Sequence, residues 1–396
     1  MNIGIDATCW QNKRGFGRFT RELLTALFAL ETRHRFFLFV DQPPDDSMAW
    51  PNVEYVRVYP QRPLTESATA RNRRSIVDML QLYKAVASCP LDLMFFPAAY
   101  SWFPVPRRLL TLVTLHDAIP EHFPKMVFPD WKSRMFWNLK VKLAVWQSDR
   151  VLTVSQAAKK EITEFIGVQA SLIDVISEAP GPIFRKIVDP ESAPEFREHN
   201  NIPLNTNLIV YVGGMAPHKN IHRFLDGLSL ALKHPDLEDV HLLLVGDYAG
   251  AGFHSNYESL QQRLDQDHKL KKHVHFSNFV SDEQLLVIYN DAMAVTMPSL
   301  SEGFGLPAIE AMACGVPVLA SNRGSLPEVV GDAGVFFDPY NEDSISRAII
   351  KLSCDQQLRQ QLGEIAQARA ETFTWPKAAK LTMGFMESMI DKHERN

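Results

Sequence analysis

Residues 299–321 read SLSEGFGLPAIEAMACGVPVLAS: a loop, a helix and the strand that follows it. Pro307 suits the first helical turn, where a missing N–H costs nothing. Gly315-Val316-Pro317 ends the helix and leads into the strand VPVLAS at 316–321. The apolar run MAVTM at 293–297 precedes the loop, so the segment is a strand–helix–strand unit, the building block of a parallel sheet. Glu302 stands before Gly303-Phe304-Gly305-Leu306, and Glu310 lies inside the helix. If the loop doubles back, the two carboxylates face different portions of one extended ligand. Glycine amides between them then approach phosphate or sugar oxygens closely. The competing structural reading makes Glu302 a loop cap and Glu310 a helix-surface charge.

The same alternation extends outward. LIVYVGG at 208–214, HLLLVGD at 241–247, VHF at 274–276 and GVFFD at 334–338 read as further strands, and NEDSISRAIIKL as a helix. In the first half Ile3–Ile5, RFFLFV at 35–40, VEYVRVY at 53–59, LMFF at 93–96, LLTLVTLHD at 109–117 and RVLTVS at 150–155 form a second series. Helices are expected through FTRELLTALFAL and WKSRMFWNLKVKLAVWQSD, and Ser155 as the N-cap of the next. Strands that are apolar throughout belong to parallel sheets covered on both faces. The proline-rich stretch from Pro180 to Pro203 marks the boundary, giving expected domains 1–190 and 191–375. A terminal helix, 376–396, is expected to pack back on the first domain. A cleft is the natural consequence of two such domains.

Composition excludes several classes. With 396 residues, 46% hydrophobic and 22% charged, the chain has ample core material. Its net charge of -5 divides unevenly, residues 1–190 being net positive and residues 191–396 strongly negative. A general nucleic-acid binder is excluded, while the first half remains able to meet an anionic partner. Cys9, Cys89, Cys314 and Cys354 are widely spaced and form no CxxC pair, as expected of reduced thiols. No apolar run is long enough to span a bilayer, and MNIGIDATCW lacks the pattern of a secretory leader. These features lead to the expectation of a cytoplasmic protein.

Three further candidate sites follow strands. Gly15-Phe16-Gly17, bracketed by Arg14 and Arg18, reads as a turn or a phosphate contact at a helix start. It departs from GxGxxG because Thr20 replaces the last glycine, which disfavours a nicotinamide-dependent oxidoreductase. His116 and Asp117 end the LLTLVTL strand, where a sugar hydroxyl can be bound, or where His116 simply caps the strand end. No metal-ligand cluster surrounds them, and no metal is expected. Gly213-Gly214 precede His218, Lys219 and Asn220, and Lys219 reads as a diphosphate partner or an ordinary surface lysine.

Together these motifs carry a resemblance. Glu302-Gly-Phe-Gly-Leu-Pro, Leu326-Pro-Glu-Val-Val-Gly-Asp-Ala-Gly and Asp338-Pro, supported by GFGR, HDAIP and YVGGMAPHKN, resemble retaining glycosyltransferases of the GT-B class, family 4 (glycosyl transferases group 1). The HDAIPEHFP region resembles bacterial mannosyltransferase-like members more than sucrose- or starch-related ones. The resemblance implies an α/β GT-B fold, two Rossmann-like domains facing each other across a central cleft. It implies that Glu302 contacts the donor hexose and Glu310 the nucleotide ribose. Backbone groups of Gly303, Phe304, Gly305 and Leu306, with Lys219, would hold the sugar diphosphate. Gly15, Phe16 and Gly17 would lie near the diphosphate or acceptor, His116 near the transferred sugar, and Asp117 would orient the site.

The family often places Arg-Lys before the asparagine; this chain has His218-Lys219. Gly214 also lacks a cationic side chain found in some relatives, so Arg14 or Arg18 is a candidate to compensate. The implied reaction retains anomeric configuration without metal or other cofactor. GDP-mannose is the leading donor, with UDP-glucose, UDP-galactose or UDP-N-acetylglucosamine as alternatives. The implied acceptor is a saccharide or lipid-linked oligosaccharide in bacterial polysaccharide or lipopolysaccharide synthesis, at the inner face of the cytoplasmic membrane. Lys132, Arg134, Lys140 and Lys142 near Trp131, Trp137 and Trp146 form either a membrane-facing surface or a solvated face with its aromatics against the sheet. The rival of another class is a noncatalytic carbohydrate-binding protein.

Overall fold

Short, mostly apolar runs make the central strands, such as residues 35–40, 93–96 and 240–245. The computed structural model describes residues 1–12, 15–42, 50–59, 75–188, 190–246 and 256–395. Contacts divide the chain into two units. The first is Met1–Pro124, Phe128–Glu178 and Thr374–Asn396; the second is Lys125–Val127 and Ala179–Phe373.

The first unit holds a seven-stranded parallel sheet: β1 (Asn2–Asp6), β2 (Arg35–Val40), β3 (Val53–Arg57), β4 (Leu93–Phe96), β5 (Leu110–Thr114), β6 (Arg150–Thr153) and β7 (Ile173–Val175). Their order is β3-β2-β1-β4-β5-β6-β7, so the winding reverses between β1 and β4. Helices α1 (Gly15–Phe28), α2 (Ile76–Ser88) and α3 (Trp131–Gln147) cover it. Ser75 Oγ accepts from Asp78 N and Asp130 Oδ1 from Ser133 N, satisfying first-turn amides of α2 and α3. β7 escapes the sequence reading because three residues carry too little periodicity.

The second unit holds β8 (Asn207–Val212), β9 (Val240–Val245), β10 (Val274–Ser277), β11 (Ala294–Met297), β12 (Val318–Ser321) and β13 (Gly334–Phe337), again all parallel. Their order is β10-β9-β8-β11-β12-β13, and the reversal falls between β8 and β11. Alternate residues of β8 point to opposite faces. Ile209 and Tyr211 pack with Phe224 and Leu228 of α4 (Ile221–Ala231), while Leu208 and Val210 pack with Leu285 and Tyr289 of α5 (Asp282–Asp291). Both faces are therefore covered, which is why these strands are mostly apolar rather than alternating. α6 (Leu306–Ala313) follows β11, and α7 (Glu342–Cys354) packs on α4 so closely that a Cβ on Gly227 would lie 2.5 Å from Ile345 Cγ2. The last helix, α8 (Trp375–Arg395), packs on α1, with Trp375 edge-on to Phe19 and Glu387 Oε1 2.9 Å from His34 Nε2.

Two Rossmann-like α/β units with helix-flanked parallel sheets constitute the GT-B fold that the resemblance implies. One local reading differs. Gly15-Phe16-Gly17 is the first turn of α1, not a loop before it. A Cβ on Gly17 would stand 2.0 Å from Asn12 O, so the glycine serves close approach to the preceding loop. Arg21 fastens that loop, donating to Trp10 O and Asn12 O at 2.7 Å each.

His241 of β9, His275 of β10 and His273 stack beside one another, with His241 Nδ1 2.8 Å from His275 Nε2. Burial, then neighbouring charge, pushes both His241 and His275 from 6.5 down to about 4. A depressed histidine stabilises the fold fully above its unfolded value and loses that contribution as protons bind. The second unit should therefore lose stability as pH falls from 6.5 towards 4. Thermal melts across that window check this; a flat melting temperature would contradict it.

Candidate active site

Where winding reverses, connections leave neighbouring strand ends in opposite directions and open a crevice beyond the carboxyl edge. β8 and β11 flank that point, pairing Ile209 with Ala294 and Val210 with Val295. Gly213–Asn220 leaves β8, and Pro298–Gly305 leaves β11. Leu300 N donates to His218 O at 2.9 Å, and Asn220 Nδ2 donates to Pro298 O at 3.2 Å and Pro339 O at 2.8 Å. Asn220 adopts φ 58°, a left-handed conformation that asparagine tolerates better than most residues.

The sewn loops bring Lys219 Nζ to 2.6 Å from Glu302 Oε1, which also accepts from Ser299 Oγ at 2.6 Å. Glu302 is only 8% exposed. Burial raises the cost of its charge, but the Lys219 ammonium and the two hydrogen bonds outweigh it, holding the carboxyl below its usual range. His218, shut in beside them, is pushed by burial and then by Lys219 down to about 4, so it carries no charge at neutral pH. Its Nδ1 has no hydrogen-bond partner among the described residues. The His218-Lys219 pair accordingly supplies a single cation. Gly324, at φ 58°, backs the site: a Cβ there would come within 2.7 Å of Glu302 N. Ser325 N donates to Glu302 O at 3.2 Å and Ser325 Oγ to Phe304 O at 2.7 Å.

Around this pair the predicted residues divide by role. Gly305 needs φ 104° and starts α6, with Leu306 its first residue. Phe304 is buried edge-on to Phe373, its side chain a packing group. Gly303 is buried in the same turn. Glu310 is 2% exposed and accepts from Tyr289 OH at 3.0 Å; it is not a helix-surface charge. Gly213 adopts φ 150°, whereas a Cβ on Gly214 would meet nothing within 4 Å. Gly214 O accepts from Tyr211 OH at 2.6 Å.

In the first unit His116 follows β5. Its Nε2 lies 3.0 Å from Pro97 O just beyond β4, which fixes Nε2 as the donor. Its Nδ1 stands 3.5 Å from the buried carboxylate of Glu178, and Phe19 of α1 packs edge-on against the ring at 4.6 Å. Asp117 Oδ1 accepts from Ile119 N at 2.9 Å, capping the following turn. Phe16 stacks on Tyr100 at 5.2 Å. Arg18 lies in the first turn of α1; Arg14 lies outside the described residues. Glu178, Ser299, Gly324 and Tyr289 were not singled out from sequence. Only Ser299 lay within a quoted motif, and the others reach the site through the fold.

Residues 192–369 match the family described as Glycosyl transferases group 1, and residues 13–179 match Glycosyltransferase Family 4. O-antigen chain mannosyltransferase B of Escherichia coli is 31% identical over 286 residues, 71% of each chain. The chain belongs to the family 4 glycosyltransferases. Serotype-specific mannosyltransferase WbdA of Escherichia coli is 29% identical over 290 residues, 72% of this chain but 34% of WbdA. The family 4 chain thus aligns with about a third of that relative's length. Sucrose-phosphate synthase from Thermosynechococcus elongatus shares the fold with a TM-score of 0.74, at 21% identity over 99% of this chain and 100% of that one.

The Lys219–Glu302 pair gives this glycosyltransferase chain a coupled interaction that can be measured. Lys219→Ala should cost about 2 kcal/mol in chemical denaturation by leaving Glu302 buried beside no cation. Glu302→Gln should then cost less in the Lys219→Ala background than alone. Strictly additive effects would disprove the coupling.

Proposed function

We propose that the chain transfers a hexose from a nucleotide sugar to a hydroxyl of a saccharide or lipid-linked oligosaccharide, with retention of anomeric configuration. The observation that carries this reading is the Lys219–Glu302 pair at the β8/β11 switch point of a family 4 chain. A diphosphate entering there meets Lys219 and the amides of Gly303–Leu306 at the start of α6. Glu302, already ionised, receives hexose hydroxyls, and Glu310 serves the ribose. Lys219 stabilises the charge that grows on the leaving diphosphate as the C1–O bond breaks. The acceptor oxygen bonds C1 from the same face, and its proton passes to the departing phosphate oxygen. His116, held by Pro97 and Glu178, serves the acceptor side of the transferred sugar, with Asp117 shaping that turn. Gly15, Phe16 and Gly17 border the same side. No step in this scheme calls for a metal.

GDP-mannose is the proposed donor, supported by the mannosyltransferase names of both Escherichia coli relatives. With a lipid-linked acceptor, the proposed setting is the cytoplasm at the inner membrane face, in polysaccharide or lipopolysaccharide synthesis.

A mass-detected panel of GDP- and UDP-sugars with mixed oligosaccharide acceptors tests donor and activity together. Mannosylated product from GDP-mannose is expected; transfer only from a UDP-sugar would replace the donor, and no transfer from any would refute the activity. Glu302→Gln and Lys219→Ala should each slow transfer about 100-fold, and Lys219→Ala should also weaken donor binding in calorimetry. Turnover like that of the unaltered chain would remove them from the site.

A further inference from the structure

Helix α3 reverses the usual arrangement of a surface helix. Such a helix buries an apolar stripe and shows water its polar face. In α3 Val141 and Ala144 are buried, and Trp137 packs on Tyr100 while donating its indole N–H to Glu121 Oε1 at 2.7 Å. The outward side is apolar as well: Trp131, Met135, Leu139, Leu143 and Trp146 recur at helical spacing and are all exposed, with Phe136 beside them. Trp131 and Trp146 are 68% and 65% exposed. A contiguous patch of this kind on a soluble unit marks a contact surface.

Within α3 the charge is of one sign, the exposed Asp130 serving as the cap before its first turn. Lys132 and Lys142 lie among the exposed apolar residues, Arg134 lies on their flank, and α3 contains no Asp or Glu. Arg107 adds its guanidinium 4.4 Å above the Trp146 ring. A shallow groove lined by Trp131, Arg134, Met135, Asn138, Leu139 and Lys142 follows the helix. The helix is firmly seated: Gln147 Nε2 donates to Val105 O at 2.6 Å, and Lys140 Nζ donates to Tyr100 O. None of the described helices is long and apolar enough to cross a membrane.

These features select among occupants. A second copy docking about a twofold axis would set this cationic face against itself. An uncharged peptide would leave the bases unused. An anionic bilayer satisfies both features, taking indole and aliphatic side chains at the headgroup boundary and bases at lipid phosphates. We infer that α3 is a docking helix that lies flat on an anionic lipid surface. Trp131, Met135, Leu139, Leu143 and Trp146 enter the interface, while Lys132, Arg134 and Lys142 meet the phosphates. This deepens the proposed function and rests on its lipid-linked acceptor, which stays in the bilayer and must be approached there.

The test is co-sedimentation of the full chain with vesicles of phosphatidylcholine alone or mixed with phosphatidylglycerol, at low and high salt. Binding to the mixed vesicles, weakened by salt, is expected. The combined Lys132→Gln, Arg134→Gln and Lys142→Gln variant should bind them roughly 100-fold more weakly. Combined Trp131→Ser, Leu139→Ser and Trp146→Ser should abolish the binding that survives high salt. Both variants should transfer sugar to a soluble acceptor like the unaltered chain, because none of these residues lies in the proposed site. Equal binding to neutral and anionic vesicles, or variants that bind like the unaltered chain, would overturn the inference. So would absent vesicle binding with a dimer that the serine variant dissolves. A chain that docks but transfers nothing would refute the proposed function and leave the docking helix standing.

Discussion

A carboxylate as buried as Glu302 persists as an anion only where cation and hydrogen-bond donors meet it. Lys219 and Ser299 do so, and their positions dictate much of the second unit. Lys219 follows β8 and Glu302 follows β11, far apart in sequence, so β8 and β11 must be sheet neighbours. That adjacency requires β9 and β10 to be laid down on one side of β8, and β12 and β13 on the other. The same reversal that makes the sheet doubly wound therefore brings the pair together. Asn220, in its left-handed conformation, and the Leu300–His218 hydrogen bond hold the two loops at the required separation.

The strands were legible because their chemistry is monotonous. RFFLFV became β2 residue for residue, and LMFF became β4, since a run buried on both faces has no polar position to blur its ends. Glu302, Lys219 and the glycine turn were legible because loop chemistry between two such runs is conspicuous. Glu178 and Gly324 were not. Glu178 reaches His116 across the sheet from the end of β7, and Gly324 reaches Glu302 from beyond β12. Nothing local to either residue announces the partner. The RGFGR stretch shows the opposite failure. Its glycines read as a bend, yet Gly17 is required because Asn12 O occupies the space of a Cβ.

The two units use their switch points differently. At β8/β11 opposite charges meet directly. At β1/β4 the carbonyl of Pro97 takes the His116 Nε2–H, and Glu178 lies at the other ring nitrogen. A histidine held between a backbone carbonyl and a carboxylate presents an oriented ring edge. An oriented ring of that kind accords with the proposed contact between His116 and the transferred sugar.

Overall charge explains less than its arrangement. The second half is strongly acidic, which by itself would discourage a diphosphate. Yet its candidate site pairs Glu302 with Lys219 and keeps His218 neutral, so a diphosphate meets no net negative charge from these three side chains. Remote surface carboxylates are screened over roughly 10 Å of ordinary buffer, whereas contacts inside the crevice are screened much less. On the proposed reading Lys219 serves two anions, Glu302 and the diphosphate, while Ser299 donates to the same Glu302 oxygen. On that same reading the Ser299 hydroxyl contributes to donor binding only through the Glu302 charge it supports.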